Sequence, residues 1–141
     1  MVIGALLKEA TEKLMAAGVD TARLDSEELL SFLLQKERLY LLMNRNQEMA
    51  SETEKAFWEL IERRLKKEPV AYIVGQREFM SLNFSVCPGI LIPRPDTETL
   101  VEYAIDAMKH VEKPVVFCND NAVACCMANS FNKIHTIDYL F

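Results

Sequence analysis

The sequence predicts an α + α/β protein: an N-terminal five-helix bundle, a β-hairpin linker and the first part of an incomplete parallel α/β domain. Three observations predict it. From Val2 to about Val74 apolar residues recur at helical spacing, after Gly75 the period shortens to that of strands, and beyond Lys113 a strand, a helix and a second strand follow in order. The expected boundaries are residues 1–74 for the helical domain, 75–92 for the hairpin linker and 93–141 for the opening of the α/β domain.

Ile3, Leu6, Leu7, Ala10 and Leu14 mark the first helix, and Gly18 lies near its end, where a residue free to adopt positive φ is favoured. Asp20 or Thr21 starts the second, whose apolar face is expected to include Leu24, Leu29, Leu30, Leu33 and Leu34. A short third helix is expected from Glu37 to Met43. Ser51 and Glu54 have capping-box spacing ahead of a fourth helix, whose buried stripe is Phe57, Trp58, Ile61 and Leu65. Pro69 is placed to open a short fifth helix through Tyr72 and Val74.

Glu78-Phe79-Met80 and Asn83-Phe84-Ser85-Val86 flank a short Ser81-Leu82 turn and read as a hairpin. Pro88 and Gly89 then punctuate before a strand from Ile90 to Ile92, which Pro93 and Pro95 cannot extend because neither donates a ladder hydrogen bond. The same prolines hold Arg94 extended. Asp96 is expected to cap the helix that follows, and Glu98 adds a carboxylate near its positive end. Leu100, Val101, Ala104, Ile105 and Met108 supply its inward face. Pro114–Cys118 reads as a buried strand, Ala122–Ser130 as a helix, and Lys133–Ile137 as a strand ending in Asp138.

Half of the 141 residues are apolar and 26% are charged, with a formal charge of −5 and a pI near 5.1, so no polyanion-binding surface is implied. The basic run Arg63, Arg64, Lys66, Lys67 is interleaved with Glu59, Glu62 and Glu68 and reads as a solvated helix end rather than a phosphate contact. No apolar run approaches the roughly 18 residues of a membrane span, and the first residues do not resemble a secretory signal, so a cytoplasmic location is expected. Cys87, Cys118, Cys125 and Cys126 lack paired C-x-x-C spacing and are expected to be buried, reduced thiols. A zinc site that adds His135 is disfavoured, because neighbouring cysteines on a helix point about 100° apart.

Three blocks carry a resemblance: Gly75-Gln76-Arg77-Glu78-Phe79, Phe84-Ser85-Val86, and Leu91-Ile92-Pro93-Arg94-Pro95-Asp96-Thr97-Glu98. In this order they resemble the signature blocks of the HemK/PrmC family, methyltransferases that modify a glutamine of peptide-chain release factors. The resemblance runs in register from about Leu6 to about Glu112. It implies a Rossmann-like S-adenosylmethionine-dependent methyltransferase domain after the hairpin, a helical domain that grips the release factor, and no membrane or direct nucleic-acid partner. It also places the Pro-Arg-Pro-Asp-Thr-Glu segment, with Arg94 and Thr97, close to the cofactor pocket.

In a doubly wound fold the first strand-helix-strand unit binds a nucleotide-like cofactor through a glycine-rich turn after its first strand and an acidic residue at the end of its second. Asp138 stands at the acidic position, and the resemblance implies S-adenosylmethionine as the cofactor. The glycines are missing: all four lie before residue 90, and the turn reads Asn119-Asp120-Asn121. Asn and Asp tolerate left-handed backbone, but their side chains occupy space that close approach of a cofactor needs, so weak cofactor binding is expected. The family's Asn-Pro-Pro-Tyr motif has no counterpart up to Phe141, so no catalytic residue is named. Two parallel strands cannot satisfy their own edges, and the apolar ending Tyr139-Leu140-Phe141 adds to the expectation of a partial domain, inactive alone. The alternatives are a non-catalytic helical module that recognises a release factor, and a fragment of a nucleic-acid adenine methyltransferase.

Overall fold

The computed structural model describes residues 1–109 and the backbone of residues 116–118 and 137–139. The chain divides into two compact units, Met1–Gly75 and Gln76–Phe141. The first holds α1 (Ile3–Ala16), α2 (Ala22–Leu34), α3 (Arg38–Met43), α4 (Ser51–Leu65) and α5 (Val70–Val74). Their apolar stripes meet in one core, where Ile3, Leu6, Ala10, Leu14, Leu29, Leu30, Leu41, Phe57 and Ile61 are almost entirely removed from water. Trp58 lies partly buried against this core, 5.8 Å from the Phe57 ring, with the Lys13 ammonium 3.9 Å above its own ring.

The helix ends are closed less by side chains than by backbone. The Gly18 N–H donates to Met15 O and the Val19 N–H to Leu14 O, the paired bonds of a Schellman turn in which Gly18 takes φ of 70° at no steric cost. The same pair recurs after α2 through Gln35 and after α4 through Lys67, which hold φ of 52° and 67° without being glycine. Lys67 offsets its backbone strain with its side chain, since Nζ donates to the Ala17 carbonyl at 2.6 Å, placing a cation at the negative end of α1.

At the opposite end of α1 no side chain caps the helix. A strap spanning residues 44–49 supplies the acceptors instead: Gln47 O receives the Ile3 N–H at 3.0 Å and Arg45 O receives the Gly4 N–H at 2.8 Å. The expected capping box of α4 is absent, because Ala50 occupies the N-cap, Ser51 is already helical, and the Glu54 carboxylate instead accepts from the Met1 amino group at 2.7 Å.

The second unit opens with β1 (Gln76–Phe79) antiparallel to β2 (Leu82–Ser85), followed by α6 (Pro95–Met108). The hairpin turn is Met80-Ser81, one residue earlier than expected. Both residues have positive φ, 51° and 60°, as the favoured two-residue hairpin turns require. This choice leaves Leu82 in the strand, where it packs with Met80 and Phe84 around Phe79 and Val101. Arg77, Phe79, Leu82 and Phe84 share the more buried face, and the Phe79 and Phe84 rings meet edge to face at 6.4 Å.

The strand expected at Ile90–Ile92 does not form. Cys87 O accepts the Ile90 N–H across Pro88 and Gly89, whose φ of 96° gives a type II turn, and Leu91 is 73% exposed. Of the expected inward positions on α6, Val101 is fully buried and Ala104, Ile105 and Met108 pack against its cluster, whereas Leu100 is exposed. Cys87 is exposed rather than buried.

Further along, β3 (Val116–Cys118) pairs in parallel with β4 (Ile137–Tyr139), with Phe117 opposite Asp138. Parallel neighbours need a long crossover between them, as the strand-helix-strand reading requires. Of the expected second strand, Ile137 and Asp138 lie on β4, which continues to Tyr139, so Asp138 is followed by a further strand residue; residues 133–136 lie outside the described residues. The expected Ala122–Ser130 helix, Cys125, Cys126 and His135 lie outside the described residues.

Candidate functional site

Proline chemistry builds the segment that enters α6. Pro93 is buried and Pro95 occupies the first helical position, where its fixed φ and missing N–H cost nothing. The helix therefore starts two residues earlier than it would with Asp96 as its N-cap. Arg94 takes that place with φ −99° and ψ 143°, the extended backbone expected of it, and no side chain caps the helix. Asp96 and Glu98 stand in the first turn, where their negative charge faces the positive helix end.

Two of the expected site residues are brought together here. The Thr97 N–H donates to the Arg94 carbonyl at 3.0 Å, fixing one turn with Arg94 exposed and Thr97 half-buried. No side-chain hydrogen bond engages the Arg94 guanidinium among the described residues, which leaves it available to an anion. Asp138 is placed on β4, whereas Asn119, Asp120 and Asn121 lie outside the described residues.

Glu98 performs a task that local pattern does not foretell. Its Oε1 accepts the Met80 N–H at 2.8 Å across 18 residues, tying the hairpin tip to the start of α6. A donor in a left-handed turn is thereby satisfied by a charged acceptor. Replacing Glu98 with Ala is expected to remove about 1–2 kcal/mol from this tether, so that the Met80 amide exchanges roughly tenfold faster, whereas Glu98→Gln retains most of the protection. Unchanged exchange at Met80 in the alanine variant would show that the contact does not hold the tip. On the more buried face of β1, the Arg77 Nε is buried with no hydrogen-bond partner among the described residues.

The helical unit carries a second arrangement of charge, on a face expected to be apolar. Leu24 is 42% exposed, while Asp25, Ser26 and Glu27 are buried. The spacing of Ala22, Ser26, Leu29, Leu30 and Leu33 was the available signal, since that period carries residues 25 and 26 inward with the leucines. Asp25 accepts from Arg64 Nε at 2.7 Å. Glu27 accepts from Arg23 Nε at 3.0 Å and from Arg38 Nη2 at 2.6 Å. The basic run at the end of α4 is accordingly engaged internally: Arg64 with Asp25, Arg63 with both oxygens of Glu68, and Lys67 with α1.

Burial acts to raise the Glu27 pKa, but the hydrogen bonds and charges of Arg38 and Arg23 outweigh it and hold the carboxyl below its ordinary value of 4.5. A depressed folded pKa contributes stability that is present above about pH 4.5 and is lost as the pH falls through the lower folded value. Glu27→Gln should therefore flatten the acid limb of a stability-versus-pH curve; an unchanged slope below pH 4.5 would show that this carboxylate is not a source of acid sensitivity.

Among the described residues no group of His, Cys, Asp or Glu could hold a metal ion, and no helix is long and apolar enough to cross a membrane. Comparison with known proteins adds what geometry cannot. The family profile of the PrmC N-terminal domain matches residues 5–75, almost the whole of the helical unit. The chain belongs to this family. It is 34% identical over 99% of its length to a release factor glutamine methyltransferase of Clostridium botulinum, covering 50% of that protein. It is 49% identical over 74% of its length to a release factor glutamine methyltransferase of Aliivibrio fischeri, covering 37% of that protein. A bifunctional methyltransferase of Rickettsia felis shares 41% identity over 71% of the chain, which covers 19% of that protein. The chain spans half the length or less of these curated relatives.

Proposed function

We propose that the chain is the amino-terminal portion of a cytoplasmic release factor glutamine methyltransferase, and that residues 1–74 form its substrate-recognition domain, residues 75–92 its hairpin linker and residues 93–141 the start of its methyltransferase domain. The family match over residues 5–75 carries this reading, because it falls on the helical unit and extends to relatives named for that activity. The whole reaction would move a methyl group from S-adenosylmethionine to the side-chain amide nitrogen of a glutamine in a peptide-chain release factor. An amide nitrogen is a weak nucleophile, so the rate must come from positioning and from electrostatic complementarity rather than from strong acid-base chemistry.

The cofactor fits this chain only in part. Arg94 supplies an exposed cation for a carboxylate, Thr97 a hydroxyl one turn on, and Asp138 an acid on the second parallel strand. The sequence has Asn119, Asp120 and Asn121, one of them acidic, where the resemblance implies the glycines that close backbone approach to a cofactor needs. The chain's own contribution is therefore recognition of the protein substrate, and no chemical step is assigned to its residues.

Calorimetric titration of the 141-residue chain with a release factor and, separately, with S-adenosylmethionine tests this. Heat of binding with the release factor and little or none with the cofactor is expected. Absence of release-factor binding would overturn the reading, and methyl transfer by this chain alone would overturn its restriction to recognition.

A further inference from the structure

A cavity of about 390 Å³ opens on the helical unit between α1, α2 and the strap, lined by Gly4, Lys8, Glu12, Arg23, Glu27 and Arg45 among others. Its charge is uneven. Glu27, with a side chain only 8% exposed, is already met by two arginines, Arg23 from within the groove and Arg38 from beside it. Arg23 uses its Nε for this; its side chain remains 71% exposed, and its terminal nitrogens make no hydrogen bond among the described residues. Glu12 lies 3.9 Å from Lys8 in a solvated pair worth little. Arg45 has no side-chain ion pair or hydrogen bond among the described residues. On a chain whose formal charge is −5, a concave site with surplus guanidinium groups is a local inversion of the overall field.

The backbone holds Arg45 in place. Arg45 O accepts the Gly4 N–H at 2.8 Å, and a Cβ at Gly4 would lie 3.2 Å from that same oxygen, so the strap closes on α1 because residue 4 has no side chain. The fixed part of Arg45 is its main chain, and its planar fork of donors remains free to take a carboxylate in two-pronged fashion.

We propose that this groove docks an acidic segment of the protein substrate, with carboxylate side chains received by Arg45 and the outer nitrogens of Arg23. The inference rests on the reading of the helical unit as the substrate-recognition domain, and it names the chemistry by which that domain recognises its partner. The general acidity of the chain disfavours polyanions over most of its surface, so the surplus positive charge in this groove favours an acidic peptide here.

The test uses the full chain, a dye-labelled hexaglutamate, the matching hexaglutamine, and a release factor. Hexaglutamate should bind in low salt and weaken as salt rises, with hexaglutamine failing to bind. Arg45→Glu should weaken both hexaglutamate and release factor by about tenfold or more, Arg45→Lys, which keeps the charge but not the two-pronged fork, should fall between that variant and wild type, and Lys66→Glu, on the exposed end of α4, should change neither. Arg45 is exposed, so an unaltered melting temperature accompanies the charge reversal. Hexaglutamate that does not bind, or binds Arg45→Glu equally well, overturns the groove. A release factor held equally by wild type and Arg45→Glu also overturns it, while leaving the recognition reading intact. Hexaglutamate binding that depends on Arg45, together with no binding of release factor, keeps the carboxylate site and removes the recognition reading.

Discussion

Replacing Phe57 with Ala should remove about 4 kcal/mol from the stability of the helical unit and lower its melting temperature by on the order of 15 °C or more. Phe57 projects from α4 into the shared core and is fully removed from water, alongside Ile61 of the same helix and the leucines of α1 and α2. Truncation forfeits the transfer free energy of a whole ring and leaves a cavity that rigid helices cannot collapse around, because their ends are pinned by the strap and the Schellman turns. Small domains have only about 5–15 kcal/mol in total, so the loss is a large share of it. Phe57→Leu, which keeps most of the volume, should cost roughly a third as much. Leu39→Ala, at a position 61% exposed, should stay within about 0.5 kcal/mol. Thermal unfolding followed by helical circular dichroism separates the three variants; a Phe57→Ala protein that melts like Leu39→Ala would mean that this core is not the source of stability.

The ordering of effects in that series is legible in the sequence because it depends on period alone. Ile3, Leu6, Leu7, Ala10 and Leu14 are all buried as their spacing requires, and Gly18 ends α1 by the one conformation for which glycine is the cheapest residue. Arg94 is extended between its prolines for an equally local reason. Features set by distant partners were not legible. Ser51 and Asp96 have the chemistry of caps, yet Ala50 and Arg94 occupy the capping positions, because chain entry is fixed by what precedes each helix. Ile90–Ile92 has strand-like residues, but the turn closed by Cys87 O and the Ile90 N–H leads into it and the two prolines end it, so the segment forms no strand. Gln35 and Lys67 adopt left-handed backbone that their identities disfavour, because the turns they close are imposed by helix packing and, for Lys67, by the carbonyl its ammonium reaches. At the candidate site the Arg94–Thr97 turn follows from local rules, whereas the bond from Met80 to Glu98 required knowing that the hairpin tip returns to α6.

Burial of charge is the strongest case of a distant partner overriding pattern, and it yields the second large effect. Arg64→Ala should destabilise the helical unit by about 3 kcal/mol, the low end for breaking a buried pair, because Arg64 is itself 17% exposed. The cost arises mainly at the residue left behind: Asp25, 7% exposed on the inward face of α2, would lose the guanidinium that compensates it and would have no water to replace it. The pair need not be a net source of stability. Two charges taken from water lose solvation that their attraction only partly restores, so Asp25→Leu combined with Arg64→Met should be markedly less destabilised than Arg64→Ala alone. A double-mutant cycle built on denaturant unfolding should return a coupling of about 2 kcal/mol between the two positions. A coupling near zero would mean that Asp25 is solvated in solution and that the basic end of α4 is free. In that event Arg64 would be available to ligands, and the solvated helix end read from the interleaved Arg, Lys and Glu residues would be the better description of this surface.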